Sequence, residues 1–268
     1  MNIHPTAIVD SGAKLGADVK IGPYCIVGDG VVLGDRVELL SHVIIENKTT
    51  IGDDTIIYPF AAIGAKGQDL KYQNDEDMSG LRIGKRCRIR EYATINQGTP
   101  ASTGTEIGDD CQIMIHAHIA HDCKIGNGVV LSNDAALAGH VEIEDNVIIS
   151  AKSAVHQFCR IGKNSFLGGM SGVGTDMVPY SIYDGIPARY RTINKVGLIR
   201  HGFTNEDLHA VHLVYAAAMG DFTDGSSLSD RMKRVRREVN GNKYALDAID
   251  FIENRSTRGI NVNSKRSD

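Results

Sequence analysis

The sequence predicts a solenoid of short parallel strands that is closed by a small helical domain. Two periodic observations predict the solenoid: an aliphatic residue recurs every six positions, and a small residue follows each of them four positions later. A third observation, the end of this repeat near residue 178, predicts the change to helices. A period of six fits neither an amphipathic helix nor a long alternating strand. It fits one short strand and one corner per hexad, with three hexads in each coil.

Each repeat unit supplies two residues that are predicted to face inward. The aliphatic member is Ile, Leu or Val in all 26 units, and it falls at positions 3 to 63, 83 to 95 and 107 to 173 in steps of six. The second member is Ala, Val, Cys, Ser or Thr in 24 of the 26 units, the exceptions being Gly67 and Met177. We expect both members to fill a narrow triangular prism, in which only a small side chain fits at the second position.

Composition limits the location and the partners of the chain. Its 268 residues carry a net charge of −4, which gives no strong field toward nucleic acid or a membrane surface. No run of about 18 apolar residues predicts a membrane span, and the start MNIHPTAIVD lacks the features of a secretion signal. These features predict a cytoplasmic protein with free thiols. All five cysteines occupy the small inward position and are interpreted as buried apolar residues: Cys25, Cys87, Cys111, Cys123 and Cys159.

Two interruptions and a change of pattern divide the chain. Residues 64–82 shift the phase of the hexads, and residues 98–106 keep the phase without repeat content, so both are predicted to be extruded loops. With these loops, the hexads predict a β-helix domain over residues 1–187. Residues 188–268 are predicted to form a connector and a small helical domain, in which Thr204 and Asp207 have the spacing of a capping box.

Stacking of the coils is predicted to bring distant polar residues to one edge. Because three hexads make 18 residues, residues i and i+18 lie one coil apart, at a separation of about 4.8 Å. His121 then lies beneath Gly139, and Gly139 lies beneath Gln157. Asp122 lies beneath His140 in the adjacent column. Four histidines share these adjacent columns: His118, His121, His140 and His156.

Two kinds of chemistry fit this edge. HAHIAH could bind zinc, because its spacing could mimic the three histidines with which some β-helix enzymes bind a metal across a subunit boundary. Asp122 directly after His121 instead suits a general base whose imidazolium is stabilised by a carboxylate. The N–H of Gly139, which no side chain obstructs, could stabilise an oxyanion. A base beside an oxyanion donor indicates acyl transfer to a hydroxyl group, and this interpretation requires neither a metal nor another cofactor.

Eight motifs, in order along nearly the whole chain, resemble the family of bacterial UDP-N-acetylglucosamine O-acyltransferases. They are IHPTAIV at the start, QDLKY at 68–72, HIAHDC at 118–123, LAGH at 137–140, AVHQFC at 154–159, GGMSGV at 168–173, INKVGL at 193–198 and RSTRGI at 255–260. QDLKY and the RSTRG ending are specific, because other hexapeptide acyltransferases lack them. The resemblance implies a mainly β protein, a left-handed parallel β-helix of hexapeptide repeats with a small C-terminal α-helical domain.

The resemblance also implies an activity and a set of site residues. The family transfers an (R)-3-hydroxyacyl group from acyl carrier protein to the glucosamine 3-hydroxyl of UDP-N-acetylglucosamine, the first step of lipid A biosynthesis. By this resemblance His121 is the base, Asp122 supports it, and Gly139 donates to the oxyanion. The residues that it implies for the sugar and diphosphate are Asp69, Lys71, His118, His140, His156 and Gln157. Those that it implies for the nucleotide are Asn194 and Arg200.

Further expectations concern acyl length, partners and departures from the family pattern. Gly169 matches the position that limits acyl length, and the missing side chain leaves room for a long chain. The family works as a homotrimer with sites between subunits, so a neighbouring prism could meet the loop that carries Asp69 and Lys71. The basic run at 231–237 could receive the acidic helix of acyl carrier protein. Asn96 stands where relatives often carry histidine, and His201 stands where they commonly carry arginine.

Other functions are compatible with the sequence alone. The related N-acyltransferase of the same pathway, which acts on a 3-amino sugar nucleotide, has an additional N-terminal domain, whereas the hexads here begin at Ile3. The remaining alternatives are a coenzyme A-dependent acetyltransferase, a γ-type zinc carbonic anhydrase and a purely structural solenoid. For Asp69 and Lys71 the alternative is a solvated charged loop, and for the basic run it is an ordinary solvated helix face.

Overall fold

Most hexads form one strand of two residues, and the strands build a parallel solenoid of about ten coils. The computed structural model describes residues 2–72, 77–220, 225–254 and 256–260. In chain order, the strands of this part are β1 (Asn2–Ile3), β2 (Ile8–Val9), β3 (Lys14–Leu15), β4 (Lys20–Ile21), β5 (Ile26–Val27), β6 (Val32–Leu33), β7 (Glu38–Leu39), β8 (Ile44–Ile45), β9 (Thr49–Ile51), β10 (Ile56–Ile57), β11 (Ala62–Ala65), β12 (Leu81–Ile83), β13 (Arg88–Ile89), β14 (Thr94–Asn96), β15 (Thr105–Ile107), β16 (Gln112–Ile113), β17 (His118–Ile119), β18 (Lys124–Ile125), β19 (Val130–Leu131), β20 (Ala136–Leu137), β21 (Glu142–Ile143), β22 (Ile148–Ile149), β23 (Ala154–Val155), β24 (Arg160–Ile161), β25 (Phe166–Leu167), β26 (Gly172–Val173), β27 (Ser181–Asp184) and β28 (Arg189–Ile193). The helices are α1 (Lys195–Arg200), α2 (Asn205–Met219), α3 (Leu228–Glu238) and α4 (Lys243–Glu253), and Leu70–Tyr72 form a 3₁₀ turn.

Every third strand pairs in parallel, which gives the three faces of a triangular prism. Sheet A runs from β1 through β4 and every third strand to β25 and then β27, with β28 antiparallel at its end. Sheet B runs from β2 to β26 and sheet C from β3 to β24 in the same way. The register pairs the aliphatic residue of one coil with that of the next, as in Ile119 with Leu137. The winding of three hexads per coil is therefore confirmed.

The two inward members of each hexad fill the prism. Ile119 and Leu137 are fully buried, and so are the small residues Ala117 and Ala135 that precede them by two positions. Burial of one aliphatic side chain of this size contributes about 1.5–3 kcal/mol, so the repeated column is a main source of stability. All five cysteines lie within the described residues and are buried free thiols.

The chain turns most corners through a residue in the left-handed backbone conformation. At the corner between sheets B and C, Asp122, His140 and Phe158 have φ values of 63°, 60° and 65°. This conformation is uncommon for residues with a side chain and costs roughly 1–2 kcal/mol. Hydrogen bonds between coils offset the cost: the His140 N–H donates to His121 O at 3.1 Å, and the Phe158 N–H donates to Gly139 O at 3.3 Å. We call residues 121–122, 139–140 and 157–158 the B–C corner.

Both extruded segments leave the solenoid where the B–C corner would stand in the two coils below His121. Loop 1 (residues 66–80) connects β11 to β12, and loop 2 (residues 97–104) connects β14 to β15. Both are shorter than the predicted segments, because residues 64–65, 81–82 and 105–106 extend these strands. The loops are joined to each other: the Gly98 N–H donates to Gly80 O at 2.9 Å, and the Ser79 N–H donates to Gly98 O at 3.2 Å.

In the described part of the chain, a hairpin and four helices follow the last coil. β28 pairs antiparallel with β27 and leads into α1. The capping box at the start of α2 is present: Thr204 Oγ1 accepts from the Asp207 N–H at 3.2 Å, and Asp207 Oδ2 accepts from the Thr204 N–H at 2.9 Å. Helices α2, α3 and α4 pack through buried residues such as Val214, Val235 and Ile249. No helix in the described part of the chain combines the length and the apolar character needed to cross a bilayer.

Two neighbouring isoleucines on β22 provide a matched test of the prism core. Ile149 is fully buried, whereas Ile148 points outward and is 37% exposed. We expect Ile149→Ala to lower the free energy of unfolding by about 2–5 kcal/mol, because it leaves a cavity between close-packed coils. Ile148→Ala, the control, should cost less than about 1.5 kcal/mol. Urea denaturation of both variants measures the difference, and equal losses would contradict the assigned facing of this strand.

Candidate active site

The B–C corner brings His121, Gly139 and Gln157 into one column on successive coils. The strands before these residues pair in register, with Ile119 opposite Leu137 and Leu137 opposite Val155. The bare face of Gly139 lies directly over the His121 ring, since a Cβ on Gly139 would be 2.7 Å from Nε2. An imidazole and a glycine backbone that are 18 residues apart in sequence therefore meet at one edge of the prism.

His121 and Asp122 form a hydrogen-bonded pair at this edge, which we call the dyad. Nδ1 of His121 lies 2.8 Å from Oδ2 of Asp122. An ionised carboxylate can only accept hydrogen bonds, so this contact assigns the proton of neutral His121 to Nδ1 and leaves a lone pair on Nε2. The side chains of His121 and Asp122 are 12% and 2% exposed. The carboxylate is thus shielded from water, while the imidazole borders an open cleft.

Loop 2 supplies further donors to the Asp122 carboxylate. The Thr99 N–H donates to Oδ1 at 2.9 Å, the Thr99 hydroxyl donates to Oδ2 at 2.9 Å, and the Ser102 hydroxyl donates to Oδ1. Burial raises the pKa of the Asp122 carboxyl, but the hydrogen bonds from Ser102, His121 and Thr99 outweigh burial and hold this pKa below its ordinary value. Asp122 is therefore ionised at neutral pH and can stabilise an imidazolium on His121.

The roles of Thr99 and Ser102 are not apparent from the repeat pattern. Thr99 follows Ile95 by four positions, so the hexad pattern predicts a small inward residue there. In the structure Thr99 is buried, but its hydroxyl points at Asp122. The available signal was the concentration of hydroxyl residues in loop 2, which precedes HIAHDC by one coil.

Gly139 offers an unobstructed donor above the imidazole. A Cβ at this position would lie 2.5 Å from Cε1 of His121, so any side chain here would displace the ring. The neighbouring Ala138 and His140 use their N–H groups in bonds between coils, to Val155 O at 3.0 Å and His121 O at 3.1 Å. Within the described residues the Gly139 N–H donates to no other group. It is free to donate to a developing oxyanion.

Loop 1 closes one side of a cleft of about 620 Å³ next to His121. Gly67 packs against the imidazole, since a Cβ there would lie 3.0 Å from the His121 Cβ. Asp69 accepts from the Lys71 N–H at 2.9 Å, which fixes the 3₁₀ turn at the cleft. Six of the predicted site residues line this cleft: Asp69, Lys71, His118, His121, Gly139 and Gln157. Loop 1 thus reaches the cleft of its own chain.

His118 faces the cleft from β17. Its Nδ1 lies 2.7 Å from the hydroxyl oxygen of Thr94, one coil below. Burial lowers the pKa of His118, and the nearby His121 lowers it further. A neutral imidazole at this position can exchange hydrogen bonds with an uncharged hydroxyl or amide without adding positive charge beside the His121 base.

His140 lies on the opposite side of the dyad from loop 1. Its ring stacks on Phe158 with centroids 4.6 Å apart and meets the His121 ring edge-on at 5.2 Å. Nε2 of His140 is 3.5 Å from Oδ2 of Asp122, the same oxygen that accepts from His121. His140 is thus held by ring packing, with its polar edge directed toward the dyad.

The C-terminal segment reaches the top of the same edge. Nη2 of Arg258 lies 2.7 Å from Nδ1 of His156, and Nε of Arg258 donates to Gln157 O at 2.8 Å. Arg258 belongs to the RSTRGI motif, whose pattern predicts no role for this residue. The contact spans about one hundred residues, so only the packing of the helical segment on the solenoid could have placed it. Arg258 donates to Nδ1 of His156 and leaves Nε2 to carry the ring proton.

Three predicted site residues lie away from this cleft within one chain. Gly169 is at the corner between sheets A and B. Asn194 caps α1, where its Oδ1 accepts from the Gly197 N–H at 3.2 Å, and its Nδ2 donates to Asn164 O at 3.0 Å, at the corner between sheets C and A. Arg200 is exposed at the end of α1. One subunit therefore distributes the predicted residues over three different corners.

Asn96 and His201, which depart from the family pattern, both contact backbone carbonyl oxygens. Asn96 is buried and its Nδ2 donates to Lys66 O at 3.1 Å and Ala65 O at 3.3 Å, so it anchors the start of loop 1. His201 ends α1, and its Nδ1 lies 2.9 Å from Gly197 O. Asn96 thus supports the loop that carries Asp69 and Lys71.

His121, Asp122 and His140 also meet the distance requirement for a metal site. One ligand atom from each lies within 4.8 Å of the others. However, Nδ1 of His121 and both oxygens of Asp122 are already engaged with each other and with Thr99 and Ser102. The same donor set therefore fits a hydrogen-bonded dyad better than a metal centre.

Comparisons with known proteins decide the family. A family model described as UDP N-acetylglucosamine O-acyltransferase, domain 2, matches residues 176–261, and a model of bacterial transferase hexapeptide repeats matches residues 1–35 and 104–139. A relative from Sinorhizobium fredii, named acyl-[acyl-carrier-protein]–UDP-N-acetylglucosamine O-acyltransferase, is 42% identical over 96% of this chain and 94% of its own length. The chain belongs to the UDP-N-acetylglucosamine O-acyltransferase family.

Solved structures agree with this assignment to the O-acyltransferase family. The UDP-N-acetylglucosamine acyltransferase of Francisella novicida matches with a TM-score of 0.92 at 36% identity, over 98% of this chain and 95% of that chain. The Arabidopsis UDP-N-acetylglucosamine acyltransferase matches with a TM-score of 0.85 at 34% identity, over 96% and 99%. The predicted left-handed parallel β-helix of hexapeptide repeats is confirmed, and so is the resemblance inferred from the eight motifs.

The environment of His118 predicts a pH-dependent contribution to stability. Its pKa in the folded protein lies below the ordinary value of 6.5. The unfolded chain therefore binds a proton that the folded chain does not, and the free energy of unfolding falls as the pH drops from about 6.5 toward the lowered pKa. Glutamine does not titrate, so we expect the free energy of unfolding of His118→Gln not to include this fall. Its stability relative to the wild type should therefore rise on acidification. Urea denaturation across this pH range measures it, and a constant difference would contradict the lowered pKa.

Proposed function

We propose that the protein transfers an (R)-3-hydroxyacyl group from acyl carrier protein to the glucosamine 3-hydroxyl of UDP-N-acetylglucosamine, the first step of lipid A biosynthesis. Relatives that span most of the chain are named for this acyl-carrier-protein-dependent transfer. The observation that carries the proposal is the free Nε2 of His121 beneath the unobstructed N–H of Gly139. A base and an oxyanion donor on one open cleft are the two groups that ester formation from a thioester requires.

The geometry supports a general-base mechanism. Nε2 of His121 takes the proton of the sugar hydroxyl as its oxygen attacks the thioester carbonyl. The carbonyl oxygen becomes an oxyanion, which the N–H of Gly139 stabilises. The carbon–sulfur bond then breaks, and the thiol of the carrier leaves with the proton from His121. Asp122 stabilises the transient imidazolium through Nδ1 and keeps the ring oriented throughout.

The polar walls of the cleft are proposed to hold the sugar and the diphosphate. Lys71 supplies a positive charge for the diphosphate, and Asp69 fixes the turn on which Lys71 stands. His118 and Gln157 line the opposite wall, where neutral hydrogen-bonding groups suit sugar hydroxyls. His140 and His156, each held by a neighbouring side chain, complete the proposed contacts along the same edge.

The outer face of sheet B is proposed to hold the acyl chain. Above His118 the outward column continues with Ala136, Ala154 and Gly172 on successive coils. These small side chains leave a shallow apolar track that leads from the dyad toward Gly169. A chain that follows this track passes Gly169 at the far corner of the same face, so a side chain there would shorten the space.

A homotrimer is proposed to complete the site. Asn194 and Arg200 lie near the corner between sheets C and A, whereas the dyad lies at the B–C corner. The proposed nucleotide contacts therefore reach the His121 cleft only from a neighbouring copy. Exposed apolar surface on the N-terminal coils supports self-association. It consists of an outward column on sheet B and an aromatic stack along the adjoining corner: Ile8, Ile26, Ile44, Tyr24, Phe60 and Tyr92.

Helix α3 is the proposed contact for acyl carrier protein. Lys233, Arg234 and Arg237 are exposed on this helix and present a positive surface for an acidic partner. Arg236 is instead engaged within the chain, at 2.6 Å from Asp250 and 2.8 Å from Glu253. The predicted basic run therefore offers fewer free charges than its sequence suggests.

A cytoplasmic location is proposed from the five free thiols, which persist in a reducing compartment.

One assay tests the proposed reaction directly. The protein is supplied with UDP-N-acetylglucosamine and with 3-hydroxyacyl carrier proteins of several lengths, and the product mass is followed. A parallel reaction offers the 3-amino analogue of the sugar nucleotide, and another offers acyl coenzyme A. Formation of an ester from the carrier thioester supports the proposal. A preference for the amine or for coenzyme A would assign the chain to another acyl transfer.

His121→Ala is expected to reduce turnover by about 10²–10⁴-fold, the usual contribution of a general base. The fold should be retained, because the His121 side chain lies outside the prism and its backbone supplies the bond between coils. Thermal unfolding and sedimentation of the variant serve as controls. Retention of more than about a tenth of the activity would remove His121 from the role of base.

A bulky side chain at Gly169 is expected to shift the acyl preference. A Cβ at this exposed position would lie 3.4 Å from Ala151 O, an ordinary contact, so Gly169→Met should fold normally. The added side chain would occupy the proposed path of the acyl chain and favour shorter donors. Competition between carrier proteins of two acyl lengths measures the shift. Thr192→Met, on exposed β28, is the control. An unchanged length profile would place the acyl chain elsewhere.

A further inference from the structure

Loop 2 directs two hydroxyl groups at a carboxylate that the proposed reaction needs in its ionised form. The Thr99 hydroxyl donates to Oδ2 of Asp122 at 2.9 Å, and the Ser102 hydroxyl donates to Oδ1. The Thr99 N–H adds a third donor to Oδ1 at 2.9 Å. Because the Asp122 side chain is only 2% exposed, these groups replace the water that an ionised carboxylate would otherwise bind.

The surroundings of loop 2 fix the direction of the Ser102 proton. The Ser102 oxygen accepts from the Gly104 N–H at 3.0 Å, and it lies 3.1 Å from the Ser79 hydroxyl of loop 1. A hydroxyl has one proton, and the ionised Asp122 has none to give. Thr99 O also accepts from Ser102, at 3.2 Å, but Asp122 Oδ1 is nearer and charged, so the Ser102 proton points to the carboxylate. The Ser79 hydroxyl can then donate to Ser102, which extends the chain of donors into loop 1.

The donors divide between the two carboxylate oxygens in a way that orients the plane of the group. Oδ1 accepts from the Thr99 N–H and from Ser102, and Oδ2 accepts from the Thr99 hydroxyl and from Nδ1 of His121. A second imidazole competes for Oδ2, because Nε2 of His140 is 3.5 Å away. Without the hydroxyl groups, Asp122 could turn from His121 toward His140.

We propose that Thr99 and Ser102 are positioning residues that act through Asp122 to keep the proton of His121 on Nδ1 and so keep Nε2 free as the base. This inference rests on the proposed function, because it assumes that His121 is the base. Neither hydroxyl lines the cleft, and both act at the buried end of the dyad. Their effect should therefore fall on turnover rather than on sugar-nucleotide binding.

Steady-state kinetics of hydroxyl-deletion variants test the inference. Thr99→Val combined with Ser102→Ala removes both hydroxyl donors and retains the Thr99 N–H. We expect kcat to fall about 10–100-fold, the cost of a misplaced catalytic group, while KM for UDP-N-acetylglucosamine changes by less than about twofold. Thr99→Ser keeps the hydroxyl and should recover kcat to within about threefold. Thr103→Val is the matched control, since the Thr103 hydroxyl of the same loop contacts Lys124 at 2.8 Å.

A double-mutant cycle separates positioning from general loosening of the loop. In an Asp122→Ala background, loss of the two hydroxyls should change kcat by less than about twofold, because the group through which they act is absent. The position of the His121 proton gives a readout that does not depend on activity. Nitrogen NMR of labelled histidine should find Nδ1–H in the wild type and a reduced Nδ1–H fraction in the double variant.

Several outcomes would overturn the inference. They are an unchanged kcat in the double variant, an effect confined to KM, an equal loss in the Asp122→Ala background, and an unchanged His121 tautomer. If the double variant does not fold, Thr99→Val and Ser102→Ala are measured singly against Thr99→Ser and Thr103→Val. If the wild type forms no acylated sugar nucleotide, the proposed function fails, and the tautomer measurement still decides whether Thr99 and Ser102 position His121.

Discussion

Hydrogen bonding between successive coils, at three hexads per coil, is the constraint on which the rest of the structure depends. It sets the strand register, so an aliphatic residue meets another aliphatic residue through most of the solenoid, as Ile119 meets Leu137. The same register places residues 18 positions apart directly above each other at the corners. The bare face of Gly139 therefore lies over the His121 ring because of this register alone. No packing between separate parts of the fold is needed to bring the two residues together. The repeat thus sets the relative positions of the catalytic groups.

The narrow prism also determines where chemistry can occur. Its interior accepts one aliphatic and one small side chain per hexad, so charged and large polar side chains must project from corners or outer columns. At the B–C corner, the two coils below His121 lack a tight turn and extend loops instead. Loop 1 forms a wall of the cleft through Gly67, while loop 2 supplies donors to Asp122. One edge of the solenoid thus provides the base, the carboxylate that supports it and the loop that forms a wall of the cleft.

The repeat made most of the solenoid and the column of His121, Gly139 and Gln157 predictable from sequence, because both follow from a fixed period. Loop contacts were not predictable in this way. Thr99 fitted the hexad frame as a small inward residue, yet its hydroxyl is directed at Asp122. Arg258 reaches His156 only because the helical segment packs against the upper coils. Asn194 illustrates a different difficulty, since its position within one chain shows a helix cap and leaves any role at the cleft to a second copy.

A buried carboxylate is costly unless its oxygens are fully hydrogen-bonded, and this requirement links stability with chemistry at Asp122. Burial alone would raise its pKa and favour the neutral acid, which could not stabilise an imidazolium. The donors from Ser102, His121 and Thr99 reverse that tendency. The left-handed backbone at Asp122, with φ of 63°, lets its side chain contact both His121 and loop 2. A corner conformation that is unfavourable in isolation is thereby used to place a charge where the dyad needs it.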